Sequence, residues 1–121
     1  MEYISYEVKD SRAAPGVSYT IAKMSFGRRV ELTKRIRELA LRKEFAEAGE
    51  TPNEKMEAAL LASEIDRLYL LWGLKEITGL ELDGLPATPQ SLAADGPEEL
   101  FREALAAVKE QCGLSDAERK N

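Results

Sequence analysis

The chain has 121 residues, with 17 basic and 22 acidic side chains, one cysteine and no histidine. That length indicates one domain, 1–121, whose core needs neither disulfide nor metal, and the net charge of −5 argues against nucleic acid as the default partner. The lone Cys112 cannot form an internal disulfide and suits a reducing cytoplasm, while the lack of histidine removes the commonest general base and metal ligand.

Taken in order, residues 1–24 differ from the rest. Ile4, Tyr6 and Val8 alternate with Ser5, Glu7 and Lys9, and Val17, Tyr19 and Ile21 alternate with Ser18, Thr20 and Ala22. Period-two alternation with β-branched and aromatic residues reads as strand, and Pro15-Gly16 between the runs is a turn signal. An antiparallel β-hairpin follows. An isolated hairpin is marginal in water, so it is expected to pack on helices, to pair with another chain through its exposed strand edges, or both.

Ser25 is placed to cap a helix running from Phe26 to Ala48, with Gly49 after its end. Leu32, Ile36, Leu39, Leu41 and Phe45 supply its apolar stripe. This helix is the one basic region: Arg28, Arg29, Lys34, Arg35, Arg37, Arg42 and Lys43 face only Glu31 and Glu38 in the same window. A solvated face whose charges pair with a neighbouring acidic helix accounts for it, and contact with an acidic partner is the functional reading.

The run from Glu54 to Ile77 is the longest single element and holds the only tryptophan. Leu61, Ile65, Leu68 and Trp72 fall on one helical face, broadened by Leu60, Leu71 and Leu74. It reads as the central core helix, capped by Thr51 or Asn53 and ended by Gly79. Gly73 inside it costs about 1 kcal/mol against alanine and suits close packing or a kink. Leu80 to Leu82 is extended and closed by a hairpin-type turn at Asp83-Gly84. Thr88-Pro89 opens a short helix that Gly96 ends. Pro97 opens the last helix, with a stripe of Leu100, Phe101, Leu105 and Val108, and Gly113 follows it. Ser115 to Glu118 repeats a capping-box pattern, and the tail, 114–121, is expected to be flexible.

The architecture expected is α+β: an antiparallel hairpin (1–24) packed on a mostly helical body of about three main helices (25–113). No leader pattern opens the chain, and charges interrupt every apolar run before it could cross a bilayer. Glu57, Glu64, Asp66 and Glu76 read as solvated helix faces rather than a catalytic pair. Cys112 sits at a helix C-terminus with no histidine to activate it. No catalytic, metal-binding or cofactor-binding residue is expected.

The order of features resembles a known family. A hairpin leads through MSFGRR into a basic helix; EAALLASEIDRLYLLWGLKEITGLELDG follows, then PATPQSL, then PEELFREALAAVKEQCGLSDAERKN. Over roughly residues 17–121 this looks like the small tail assembly chaperones of tailed bacteriophages and prophages. The resemblance implies a non-enzymatic protein of the bacterial host cytoplasm that binds the tape-measure protein, keeps its long apolar helices soluble and supports tail-tube assembly. It also implies a longer form made by ribosomal frameshifting, and an A-rich slippery stretch can encode Lys120-Asn121. A holding function needs grooves that accept an amphipathic segment. The candidate partner-binding residues are Tyr19, Ile21 and Tyr69 as lining, with Arg28, Arg29 and Arg35 on the basic helix. Several copies around one client, joined through the hairpin edges, suit that role. Two rivals remain: a structural head–tail or virion component, and a nucleic-acid-binding regulator using the basic helix 28–43, which the acidic chain disfavours.

Overall fold

A computed structural model describes residues 1–113; the tail and the Ser115–Glu118 pattern lie outside them. The described residues are α+β and divide into two compact units, one of residues 1–24 with 70 onward and one of residues 25–69.

The first unit carries the sheet. β1 (Tyr6–Asp10) pairs antiparallel with β2 (Ser18–Ala22), so the expected hairpin is present. A third strand, β3 (Leu74–Thr78), pairs antiparallel with the other side of β2, giving the order β1-β2-β3. The hairpin therefore has one free edge, that of β1. A short hairpin, β4 (Glu81–Leu82) and β5 (Leu85–Pro86), follows. Asp83 (φ 52°) and Gly84 (φ 82°) make its turn, both left-handed, as a two-residue hairpin loop demands.

β3 corrects the expected extent of the long helix, which stops at Gly73 rather than Gly79. Leu74 and Ile77 are both buried, at a spacing of three that mimics a helix. The strand accommodates it with a bulge: Ile21 pairs with Leu74 and Thr20 with Glu76, leaving Lys75 as the extra residue. One extra residue restores both apolar side chains to the same face. Gly79 ends the strand instead of a helix. Its φ is +80°, and a Cβ there would sit 2.0 Å from the Gly16 carbonyl oxygen, so only glycine lets the chain pass the β1–β2 turn.

Two helices cover the sheet. α3 (Pro89–Asp95) is capped by Thr88, whose hydroxyl accepts from the Ser91 N–H at 3.0 Å while the Ser91 hydroxyl accepts from the Thr88 N–H at 2.8 Å. α4 (Glu98–Gln111) buries Leu100, Ala104, Leu105 and Val108. β2 packs on α4, and β3 on both helices. Val17, Tyr19, Ile21, Leu74, Ile77 and Leu92 complete this core, each large side chain contributing about 1.5–3 kcal/mol. Gly73 admits Val108: an added Cβ would lie 2.4 Å from its Cγ1. The close neighbour is thus a side chain.

The second unit is a helical hairpin. α1 (Phe26–Glu47) starts where expected, Ser25 Oγ accepting from the Arg28 N–H at 3.2 Å. α2 (Pro52–Gly73) starts with a capping box: Glu54 N–H donates to Thr51 Oγ1 at 3.1 Å, and Thr51 N–H to Glu54 Oε1 at 3.3 Å. Ala46, Ala58 and Leu61 form the cluster between the helices, with Leu39 against it. α1 does not bury the stripe expected of it. Leu32 is buried, but Leu41 is 56% exposed and Phe45 81%. α2 likewise buries Leu61 while leaving Met56 and Leu60 about as exposed as Leu41. No helix of the described residues is long and apolar enough to cross a membrane.

Candidate protein-binding surface

Two of the exposed apolar side chains of the helical hairpin, Leu41 and Phe45, line a groove. Where α1 approaches the start of α2, Leu41, Arg42, Phe45, Ala46, Asn53, Glu54 and Glu57 line an open space of about 570 Å³. Ala46, part of the cluster between the helices, also lines this space. Arg42 Nη2 lies 3.4 Å from Glu57 Oε1, a bridge from one helix to the other along the groove. Phe45 offers a whole aromatic ring to solvent. The groove is apolar with charges at its rim, the layout that accepts one face of an amphipathic helix.

A second polar–apolar reversal occurs on β1. Its apolar residues, Tyr6 and Val8, are 45% and 58% exposed, whereas Glu7 and Lys9 face α4. Gln111 Nε2 donates to Glu7 Oε2 at 2.6 Å, and Lys9 Nζ to Glu110 Oε2 at 3.4 Å. Lys75 Nζ sits 5.7 Å from the Tyr6 ring centroid, and Lys23 Nζ 5.6 Å from that of Tyr3, cation–π contacts at the solvent-facing side of the sheet.

The most saturated polar group is Glu103 on α4. Its Oε1 accepts from the Ser11 hydroxyl at 2.5 Å and the Tyr19 hydroxyl at 2.8 Å, and its Oε2 from the N–H groups of Arg12 at 2.8 Å and Ala13 at 3.2 Å. Burial pushes this carboxyl up, but the four hydrogen bonds outweigh it and hold it below its ordinary value. Burial, reinforced by the Glu103 hydrogen bond, pushes Tyr19 up to about 12. With three donors from the β1–β2 turn and one from Tyr19 of β2, Glu103 is a clamp, not a free acid.

The residues singled out in the sequence separate accordingly. Tyr19 and Ile21 are buried in the sheet core, so neither presents a surface; both lie on the β2 face that packs on α4. Arg28 and Arg29 lie in the first turn of α1. Arg35 pairs with Glu31 at 2.5 Å, and Lys43 with Glu47. The solvated-face reading expects pairing with the neighbouring helix; Arg35–Glu31 and Lys43–Glu47 are pairs within α1, and Arg42–Glu57 reaches α2. Tyr69 is half-buried on α2, and Cys112 is buried. Among the described residues, no group of three or more cysteine or carboxylate side chains is placed to hold a metal. Leu41, Phe45, Tyr6 and Val8 are the surface residues that a reading of apolar residues as core passes over. Set against known proteins, the chain matches no family model, no curated protein and no solved structure.

Proposed function

We propose that this protein is a non-enzymatic holding chaperone of the phage tail assembly type, whose client is a long amphipathic helical protein such as a tape-measure protein, met in the bacterial cytoplasm. The observation that supports the reading is the exposure of Leu41 and Phe45 beside the open groove between α1 and α2. A monomer has no stability reason to keep a phenylalanine 81% exposed next to an exposed leucine; a protein that lends apolar surface to another chain does. The client helix lies with its apolar stripe on Phe45 and Leu41, and its polar residues meet Arg42, Glu54 and Glu57 at the rim. Self-association at the free edge of β1 sets more than one copy along one client.

Co-expression with the tape-measure protein of the same genome, followed by size-exclusion chromatography with light scattering, tests this. The client becomes soluble and co-elutes with the wild-type chain, and Phe45→Asp abolishes co-elution. A client that stays insoluble with the wild-type chain, or co-elutes equally with F45D, overturns the reading. Salt-sensitive binding to random duplex DNA would favour the basic-helix alternative, and recovery of the chain in purified particles would favour a virion component.

A further inference from the structure

β1 is the edge strand of its sheet, and no strand of the described residues pairs with its outer side. Its backbone can be assigned residue by residue. The Ser5 carbonyl accepts from the Lys23 N–H at 2.9 Å, and the Ser11 N–H donates to the Val17 carbonyl at 2.8 Å. Between these points the register runs unbroken from Tyr6–Ala22 to Asp10–Ser18. Odd-numbered residues therefore turn their N–H and C=O toward β2. Tyr6, Val8 and Asp10 turn theirs outward, because the two sets alternate along an antiparallel strand.

Reversed about Val8, this edge, Tyr6-Glu7-Val8-Lys9-Asp10, sets Val8 against itself, Glu7 against Lys9 and Tyr6 against Asp10. We propose that two copies of this protein join by antiparallel pairing of β1 with β1, with the two-fold axis at Val8, so that two three-stranded sheets become one continuous sheet. In this register Val8 lies opposite Val8 of the second copy and exchanges two backbone hydrogen bonds with it. Tyr6 and Asp10 lie opposite each other and do the same in both directions. All the outward N–H and C=O groups of the strand are used. Glu7 then faces Lys9 of the second copy, and Lys9 faces its Glu7, at the closely spaced non-hydrogen-bonded positions where side chains approach best.

Charge complementarity chooses the occupant. A lysine on the helix-facing side of an edge strand normally discourages pairing; here each copy brings a carboxylate to the position opposite. An unrelated strand would have to supply both an acid and a base at matching positions, which the two-fold provides by itself. On the other face the pairing sets the exposed Val8 of each copy against the other, with each exposed Tyr6 diagonal to the second copy's Val8, covering apolar surface that each monomer leaves in water. This specifies the self-association included in the reading above and leaves the α1–α2 groove untouched, so it can fail while the client reading stands, and the reverse.

The test uses the full chain in sedimentation equilibrium. The wild type is a reversible dimer. Val8→Pro removes an N–H that points away from β2, so the intramolecular ladder survives, as circular dichroism would check, while the dimer is lost. Glu7→Lys and Lys9→Glu each place like charges across the axis and weaken dimerisation about tenfold or more. Mixed together they pair with each other, since one strand then carries two bases and the other two acids, and the double swap E7K/K9E dimerises like the wild type. A wild-type chain that is monomeric at several hundred micromolar overturns the proposal. So does a dimer indifferent to V8P, or E7K and K9E chains that fail to combine on mixing; the mixing result stands even if V8P does not fold.

Discussion

Replacing Glu103 by glutamine keeps the shape of the side chain and removes its charge and one of its two acceptors. In the wild type, four donors converge on the carboxylate at 2.5–3.2 Å, two of them hydroxyls and two backbone N–H groups of the β1–β2 turn. Hydrogen bonds to a charged group are worth about 1.5–3 kcal/mol each when one partner is deleted, but the four are not additive. Arg12 and Ala13 are exposed, so their N–H groups turn to water at little cost. The Ser11 and Tyr19 hydroxyls cannot, because both residues are buried. If the amide oxygen stays toward them, they keep neutral bonds and the loss is about 1–2 kcal/mol; Glu103→Ala, which takes the carboxylate acceptor from both hydroxyl protons and leaves Ser11 Oγ only the Ala14 N–H it accepts at 2.9 Å, should cost about 2–3 kcal/mol. Urea unfolding at neutral pH reads these values directly. Glu110→Gln, on the same helix but joined only to Lys9 at 3.4 Å with its side chain 61% exposed, should cost no more than about 0.5 kcal/mol and serves as the control. The pH dependence gives an independent reading. Because the folded-state pKa of Glu103 is depressed from 4.5, its contribution is complete above that value and is lost as pH falls through the folded pKa. The gap between wild type and E103Q should therefore be constant around neutrality and narrow as pH falls below 4.5. Equal stability of E103Q and E110Q, or a gap that does not narrow in acid, would refute the clamp.

Three further outcomes follow from the packing. Alkaline titration of the tyrosines by ultraviolet absorbance should contain one step at about 12, belonging to Tyr19, and Tyr19→Phe should remove it. Gly73→Ala should gain about 1 kcal/mol in helix propensity but lose more through the 2.4 Å approach to Val108 Cγ1; a net destabilisation of about 1–2 kcal/mol, partly relieved by adding Val108→Ala, would be read in thermal melts, and a stabilised single variant would contradict the packing. Phe45→Asp should leave unfolding within about 0.5 kcal/mol of wild type, since a ring 81% exposed contributes little; a large loss would mean that Phe45 is a core residue after all.

Much of the fold was legible because its punctuation is local. Ser25, Thr88-Pro89, Asp83-Gly84 and Gly113 signal caps and turns through their own chemistry, and the structure uses each as such. Gly113, at φ +76° after the Cys112 cap of α4, is the left-handed residue expected there. The third strand was hidden for a physical reason. Leu74 and Ile77 are three apart, the parity of a helix, and only the bulge between Thr20 and Ile21 makes that spacing serve a strand. A bulge depends on the partner strand, so no window of the sequence around Leu74 contains it. Gly73 marks the change of element, yet its role is set by Val108, far along the chain.

The exposure of Leu41 and Phe45 was legible in principle, through the phase of the helix. Leu41 follows Leu32 by nine residues, which at ~100° per residue places it on the opposite side of the helix. Phe45 follows Leu41 on that same opposite side, whereas Ile36 and Leu39 remain near Leu32. A helix with two apolar stripes back to back cannot bury both against one neighbour. The structure gives the Leu32 side to the interior and leaves the Leu41–Phe45 side exposed. β1 repeats the logic with period two: Tyr6 and Val8 share a face, and the buried Tyr19 and Ile21 lie opposite Lys9 and Glu7, so the apolar residues of β1 must point away from the face that β2 buries. Register alone forces this once Tyr19 is buried. In both elements the surplus apolar face is a consequence of periodicity. It is also what a monomer would shed if it had no second chain to meet.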